Sequence, residues 1–287
     1  MQNSHINDPV FRKAVDAIDS GDLVELQSLL DAHPRLVQEP LDLPEEGYFQ
    51  HPYLVWFVAG NPIRNPTLPG NIVAVARMLI TQVRRHAPDT YDRQINYALG
   101  LVVTGHIPKE CGVQLELIDL LIDAGARPAG VIEAIANGNP EAAAHLVRRG
   151  AELTFAAAVG LGGEEEVERL APMATPDERD LALIVAAFRG NVKMIWYLLR
   201  GGVSVNAIPA DCQGFHSHAT ALHQAVSSAS PDAVKLLVEA GADLDAADRV
   251  YRGTPLDWAE YLQREEGVDE ERKQKYRDIE GYLTSPG

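Results

Sequence analysis

The feature that most constrains this chain is a helix-ending pattern that returns along its length. Two apolar residues precede a Gly or a His-Pro stop, as in LLDAHP at 29–34, LLIDAGA at 120–126, LVRRGA at 146–151, LLRGGV at 198–203 and LLVEAGA at 236–242. Glycine ends a helix readily because it adopts the left-handed backbone conformation without a steric penalty. A pattern that recurs in this way predicts a stack of similar helical units.

A turn residue stands twelve positions before four of these stops. The pairs are Gly21 with His33, Gly138 with Gly150, Gly190 with Gly202, and Ala229 with Gly241. This spacing predicts two short helices joined by a tight turn in each unit. Seven helix pairs are completed by weaker copies at 53–82, 95–126 and 154–174, and a degenerate eighth pair at 254–283 is expected to form a C-terminal cap.

Two segments near the C-terminus carry a resemblance to a known family. The ankyrin signature is T-P-L-H-x-A, in a repeat of about 33 residues. TALHQA at 220–225 departs from it only by Ala221, and GTPLDWA at 253–259 keeps T-P-L but has Asp257 in place of His. The two copies lie 34 residues apart. The chain therefore resembles an ankyrin-repeat protein with divergent repeats of the bacterial type.

This resemblance implies an all-α ankyrin-repeat solenoid of about seven to eight helix pairs, linked by short or irregular hairpin fingers. We expect a single ankyrin-repeat domain over residues 1–287. Its expected parts are an N-terminal capping repeat at 1–40, central repeats at 41–250 and a C-terminal capping repeat at 251–287.

Two insertions lengthen the turn between the helices of adjacent repeats. They are NPIRNPTLPG at 61–70 and HIPKECGV at 106–113. Insertions at the same place in neighbouring repeats are expected to project from the same edge of the stack. That edge is one candidate binding surface.

The charge of the chain indicates what kind of partner it prefers. With 41 Asp and Glu against 25 Lys and Arg, the net charge is −16. Nucleic acid would be repelled, so we expect a protein partner with a basic surface and no nucleic-acid binding.

Other features of the sequence bear on membrane association and on the cellular compartment. No apolar run approaches the ~20 residues that span a bilayer, so no membrane association is expected. Two cysteines and no charged and apolar leader predict a cytoplasmic protein. We expect it to be monomeric.

A dense group of metal-ligand residue types stands in DCQGFHSHATALHQAV at 211–226, which contains Cys212, His216, His218 and His223. His223 occupies the signature histidine, for which the resemblance implies hydrogen bonds between neighbouring turns. His216 and His218 alternate in an extended finger and would share a face, as a zinc site requires. A closed zinc site needs four ligands, and no C-x-x-C pair accompanies these residues. We therefore predict no metal and no cofactor.

Other catalytic patterns are absent from the sequence. GLGGEEE at 160–166 has a glycine-rich turn, but no Lys follows it and three glutamates occupy the helix start. Neither G-x-S-x-G nor H-E-x-x-H occurs. We predict a protein without catalytic residues, and the alternative is a metal-dependent enzyme with a Cys/His site in the 211–223 segment.

The binding residues are predicted by aligning the first helices on Gly190. Phe188 and Arg189 precede that turn, at positions that face the concave groove in ankyrin proteins, and an aromatic beside an Arg is typical of a binding hot spot. A Phe that covers the adjacent repeat is the alternative. The predicted partner-binding residues are Phe188, Arg189, Phe215, His216, His218, Ser227, Ser228, Arg249 and Tyr251. Trp196, Tyr197 and Trp258 are predicted to pack in the core.

The sequence thus predicts a non-catalytic protein–protein interaction module, an acidic cytosolic adaptor or inhibitor that binds one partner through its concave face. An immunity-like role, in which the acidic surface masks a basic active site, rests on charge alone. A further alternative is a regulatory scaffold that binds through the inserted turns at 61–70 and 106–113.

Overall fold

The computed structural model describes residues 6–42, 51–60, 66–209 and 214–285. Throughout these residues the regular structure is helical, and none of them belongs to a strand. The prediction of an all-α fold is confirmed. The chain divides into two compact units, Met1–Glu152 and Leu153–Gly287. A single domain over 1–287, with capping repeats at 1–40 and 251–287, stays a prediction.

The first unit consists of helix pairs and short connecting helices. Its α-helices are α1 Pro9–Ser20, α2 Leu23–Ala32, α3 Arg35–Gln38, α4 Ile72–His86, α5 Tyr91–Thr104, α6 His106–Glu110, α7 Gln114–Asp123, α8 Val131–Ala136 and α9 Pro140–Arg148. Two 3-10 helices, Leu54–Ala59 and Pro88–Thr90, precede α4 and α5. The buried segment Leu54–Ala59 takes the place of a first α-helix in the second pair.

The first helix pair shows why these segments fold locally as they do. Asp8 caps α1 by accepting hydrogen bonds from the backbone N–H groups of Val10 and Phe11, at 2.9 and 3.0 Å. One face of α1 is buried, at spacings of three, four and seven residues: Phe11, Ala14, Val15 and Ile18. This period of 3.6 residues lets α1 pack against α2 and the segment Leu54–Ala59.

The two inserted turns contact each other within the first unit. The N–H of Leu68 donates to the Cys111 sulfur at 3.4 Å. The side chain of Ile107 is buried beside Gly60, where a Cβ atom would lie 2.9 Å from Ile107 Cγ2. The described parts of the two insertions therefore lie side by side, and their projection from a shared edge of the stack stays a prediction. Residues 61–65 of the first insertion lie outside the described residues.

The second unit contains four successive helix pairs in its described part. Its α-helices are α10 Phe155–Leu161, α11 Glu164–Leu170, α12 Pro176–Phe188, α13 Val192–Arg200, α14 Ala221–Ser227, α15 Pro231–Glu239, α16 Pro255–Arg264 and α17 Glu270–Thr284, and a 3-10 helix, Ala171–Met173, follows α11. The seven residues 181–187 of α12 are all buried. This helix packs against both α10 and α14, so an all-apolar run replaces the usual amphipathic pattern.

The predicted turns between paired helices adopt the left-handed backbone conformation. Their φ values are 70° at Gly21, 72° at Gly138, 60° at Gly190 and 53° at Ala229. The twelve-residue spacing therefore identified real turns. Ala229 adopts this conformation although a residue with a Cβ atom is disfavoured there by about 1–2 kcal/mol.

Trp196 is not a core residue, contrary to the prediction. Met194, Ile195 and Leu198 form the buried face of α13, and Trp196 lies on the other side with 50% of its surface exposed. The guanidinium carbon of Arg200 lies 4.9 Å from the centre of the Trp196 ring. A helix nine residues long buries only one stripe, and the sequence did not reveal on which side of it Trp196 falls.

Candidate functional site

A groove of about 590 Å³ lies among the last repeats of the second unit, which is within the usual size range of binding pockets. We call it the C-terminal groove. Its lining residues come from the finger before α14, the end of α14, the finger before α16, and α16 itself: His216, His218, Ser227, Tyr251, Gly253, Asp257, Trp258, Tyr261, Leu262 and Glu265. The members from α16 recur every three to four residues, so one face of this helix forms a wall.

The finger before α16 is held in shape by the buried carboxylate of Asp248. Its Oδ1 accepts hydrogen bonds from the N–H groups of Val250 and Tyr251, at 2.9 and 2.6 Å. Its Oδ2 accepts from the N–H of Gly253 at 2.9 Å and from the indole Nε1 of Trp258 at 3.1 Å. Burial alone would raise the pKa of Asp248, but these donors outweigh it and hold the pKa at about 2. The ionised carboxylate therefore positions Tyr251.

His223 connects two neighbouring fingers. Its Nδ1 lies 2.8 Å from Thr220 Oγ1 at the start of α14, and its Nε2 lies 3.1 Å from the carbonyl oxygen of Gly253. The ring is fully buried and packs edge-on against Trp258, 5.0 Å between centres. Burial lowers the pKa of His223. The predicted structural role of this signature histidine is confirmed.

His216 and His218 stand side by side at the groove. Their ring centres are 5.8 Å apart, and each ring also packs against Trp258. His218 Nε2 is buried, lies 3.8 Å from Asp248 Oδ1 and makes no hydrogen bond with any residue that the structure describes. Burial, followed by the neighbouring His218, lowers the pKa of His216.

The alternative prediction, a metal site in the 211–223 segment, involves some residues that the structure does not describe. Cys212 lies outside the described residues, as does Asp211. Among the residues that are described, no three His, Cys, Asp or Glu side chains are grouped so as to hold a metal ion. His223 has both ring nitrogens in contact with oxygen atoms of the chain, so it is not offered as a ligand.

Comparison with known proteins identifies the repeats. The family model for ankyrin repeats, which comprises three copies, matches residues 109–248. The chain contains ankyrin repeats. The matched segment includes TALHQA at 220–225, while GTPLDWA at 253–259 lies beyond it. The predicted resemblance is thereby confirmed, and a bacterial type of repeat stays a prediction.

Two similar proteins also carry ankyrin repeats in their names. Ankyrin repeat and SOCS box protein 6 from Pongo abelii is 38% identical over 78 residues, which are 27% of this chain and 17% of that protein. The chain thus spans a small part of that relative's length. The crystal structure of the human ASB11 ankyrin repeat domain is 20% identical and covers 71% of this chain and 97% of its own, with a TM-score of 0.34.

Ankyrin repeats indicate a module for protein–protein interaction, and the family is typically non-catalytic. Within the described residues, every helix is too short or too polar to cross a bilayer.

The predicted binding residues fall into two groups around these ankyrin repeats. His216, His218, Ser227 and Tyr251 line the C-terminal groove. The residues outside its lining are Phe188, Arg189, Phe215, Ser228 and Arg249. Arg189 and Arg249 are exposed.

The side chain of Phe215 is buried, so a partner cannot contact its ring. Only 5% of its surface is exposed, and it meets Phe188 edge-on with 5.0 Å between ring centres. Phe188 is half-buried by this contact, as expected for a residue that covers the adjacent repeat. The finger folds back on the end of α12 because two aromatic rings are better packed together than left in water.

The sequence analysis did not predict that α16 contributes residues to a binding surface. Trp258 is only partly buried and lines the groove, although it was predicted to pack in the core. Tyr261 is 68% exposed and lines the same wall. The signal in the sequence was an aromatic pair three residues apart on one helix, which places both rings on one face.

Proposed function

We propose that this chain is a non-catalytic, cytoplasmic adaptor or inhibitor that binds one protein partner with a basic surface, and that the partner contacts the C-terminal groove. The observation that carries this proposal is the exposure of two large aromatic residues at one concavity. Tyr251 is 78% exposed and Tyr261 is 68% exposed, and both line the groove. Exposed aromatic residues beside a pocket are typical binding hot spots.

Charge supports a basic partner. The net charge of −16 gives a field that attracts cationic surfaces over a distance of about 10 Å at 0.1 M salt. Such a field mainly raises the association rate, whereas the buried contacts in the groove set the dissociation rate. An immunity-like role would use the same surface, and it rests on this charge alone.

The proposal is tested by measuring the affinity of a captured partner for matched variants. Tyr251→Ala and Tyr261→Ala are each expected to weaken binding by about 30-fold, the effect of losing a hot spot of about 2 kcal/mol. Val24→Ala removes a side chain that is 82% exposed on α2, and it is expected to leave the affinity unchanged. The association rate is expected to fall as salt rises from 0.1 to 1 M.

A different result would move the binding site elsewhere. If both tyrosine variants bind like the unaltered protein and Lys109→Ala abolishes binding, the partner uses the inserted turns and the groove proposal is overturned. Lys109 lies on α6 in the second insertion, where its ammonium donates to the Gly138 carbonyl at 2.6 Å.

A further inference from the structure

The lining of the C-terminal groove combines aromatic rings with negative charge. Tyr251, Trp258 and Tyr261 supply the rings, and carboxylates come from Asp257 on α16 and from Glu265 directly after it. None of the groove's lining residues is a Lys or an Arg. A cation is attracted by the faces of aromatic rings and by carboxylates, so both components favour the same kind of ligand.

Both carboxylates retain oxygen atoms for a ligand. Asp257 Oδ2 accepts hydrogen bonds from the N–H and hydroxyl of Thr254, at 2.8 and 2.7 Å, which lower the pKa of Asp257 and leave Oδ1 without a partner among the described residues. Glu265, at the end of α16, is exposed and makes no ion pair with any described residue. The groove therefore presents carboxylate oxygens that can accept hydrogen bonds from a ligand.

The lining contains two imidazoles, His216 and His218. Burial lowers the pKa of His216, which disfavours its protonated form. Arg272 reaches the edge of the groove at Ser227, but its guanidinium is engaged there by the chain: Nη2 donates to the Ser227 carbonyl at 2.8 Å and Nε to the Tyr276 hydroxyl at 3.0 Å.

Elsewhere in the chain, arginine side chains lie over aromatic rings. Arg84 lies over Tyr91, Arg179 over Phe155, Arg200 over Trp196 and Arg272 over Tyr276, at 4.9–5.9 Å from the ring centres. Among the described Lys and Arg residues, none occupies this position over Tyr251, Trp258 or Tyr261. The aromatic rings of the groove thus carry no Lys or Arg side chain from the described residues, and their ring neighbours there are histidines.

We propose that the C-terminal groove binds an arginine side chain of the protein partner, between the aromatic faces and the carboxylates of Asp257 and Glu265. Arginine fits better than lysine because its planar, weakly hydrated guanidinium stacks on rings and donates two parallel hydrogen bonds to a carboxylate. A carboxylate ligand would be repelled, and an apolar side chain would leave the two acids unused. This inference rests on the proposed function and names the partner group that the groove recognises.

The test uses small probes and therefore needs no identified partner. N-acetyl-arginine amide and N-acetyl-citrulline amide have the same shape, but citrulline is neutral. Each is titrated into the full-length ¹⁵N-labelled protein, and the three tryptophan indole signals are followed by NMR. Trp196→Phe, at an exposed position, assigns the Trp196 signal, and Trp56 and Trp258 are distinguished by Trp56→Phe or Trp258→Phe, whichever folds.

The arginine probe is expected to shift the Trp258 signal with a dissociation constant in the millimolar range, and the citrulline probe is expected to bind about tenfold more weakly. Glu265→Gln is expected to weaken arginine binding about threefold or more. The matched control is Glu266→Gln, which removes the same charge from the neighbouring exposed residue outside the groove lining. It is expected to leave the constant within about twofold, because solvent and salt screen exposed charges.

Equal binding of citrulline and arginine, or equal effects of Glu265→Gln and Glu266→Gln, would overturn the arginine assignment. Failure of the proposed function has a different signature, because it appears with the protein partner and not with the probes. If Tyr251→Ala weakens the partner but citrulline matches arginine, the groove binds a partner through another kind of side chain. If the probes behave as expected and the tyrosine variants leave partner affinity intact, the proposed function fails at this groove.

Discussion

Asp248 Oδ2 accepts a hydrogen bond from Trp258 Nε1 at 3.1 Å, and this contact joins the last finger to α16. The same carboxylate accepts from the N–H of Tyr251. One buried charge therefore fixes two of the aromatic residues that line the C-terminal groove. The groove depends on Asp248 for its shape, although Asp248 does not line it.

Asp248→Asn is expected to lower the free energy of unfolding by about 2–3 kcal/mol, measured by urea denaturation. An amide group can accept through its oxygen but not through its nitrogen, so at least one buried N–H loses its partner, and hydrogen bonds to a charged group are the stronger ones. Asp245→Asn, at an exposed position nearby, is the matched control and is expected to change stability by less than about 0.5 kcal/mol. Equal effects of the two changes would contradict the role given to Asp248.

Lowering the pH is expected to reduce the free energy of unfolding of the second unit in two separate pH ranges. Burial lowers the pKa of His223 below its ordinary value of 6.5. Between the folded-state pKa and 6.5, the unfolded chain therefore takes up a proton that the folded chain does not. Stability is thus full above pH 6.5 and decreases below it. The pKa of Asp248 is lowered from 3.8 to about 2, so its contribution of about 2 kcal/mol is present above pH 4 and is lost as pH falls toward 2.

Unfolding free energies measured at pH 7.5 and 5.0 test the histidine range. The difference between them is expected to be smaller in His223→Ala, which is itself expected to cost about 1–3 kcal/mol because Thr220 and Gly253 lose a partner. The hydrogen bond to the Gly253 carbonyl and then the charge of Asp248 act on this pKa in the opposite direction to burial, while His218 and His216 act in the same direction. A stability that rises on acidification from pH 7.5 to 5.0 would show that the Gly253 hydrogen bond and the Asp248 charge together outweigh burial.

The helix frame of the repeats is tested at α15. Leu237 is fully buried, so Leu237→Ala is expected to cost about 2–5 kcal/mol through lost burial and the cavity left behind. Leu236 is half-buried on the same helix, and Leu236→Ala is expected to cost less than half as much. The two midpoints of urea unfolding measure the difference. If the order were reversed, the register of α15 would be wrong.

The helix pairs were predictable from the sequence because their boundaries are set by local chemistry. Gly150, Gly202 and Gly241 follow α9, α13 and α15 within two residues, as the helix-ending pattern predicted. The backbone conformation at such a stop depends on the residue itself, so one sequence suffices to locate it.

The C-terminal groove was only partly predictable because it depends on tertiary packing. The sequence placed Tyr251 in a finger but gave no sign that Phe215 folds back onto Phe188 while Tyr251 stays exposed. Both are aromatic finger residues, and the difference lies in what each finger packs against. In the same way, Trp258 and Tyr261 share a face of α16, and only the neighbouring elements decide how much of that face is covered.

Alanine substitutions at Gly190 and Gly202 distinguish two energetic costs of adding a Cβ atom, backbone strain and a steric clash. Both have left-handed φ values, of 60° and 84°, so an alanine at either position is strained by about 1–2 kcal/mol. A Cβ atom on Gly190 would also lie 3.0 Å from Ser230 Cβ, whereas one on Gly202 would have no atom within 4 Å. Gly190→Ala is therefore expected to be the more destabilising change, by about 1 kcal/mol or more.

A double substitution identifies the contact responsible for that difference. Ser230 caps α15 by accepting the Ala233 N–H, and its Cβ is fixed by the backbone, so it cannot rotate away from an added methyl group. In a Ser230→Gly background the clash is gone, and Gly190→Ala is expected to cost no more than Gly202→Ala does in the unaltered protein. Urea unfolding of the four proteins of this cycle, beside Gly202→Ala, gives the coupling energy. A coupling near zero would mean that strain at Gly190, and not its approach to the start of the next repeat's second helix, accounts for the preference for glycine at this turn.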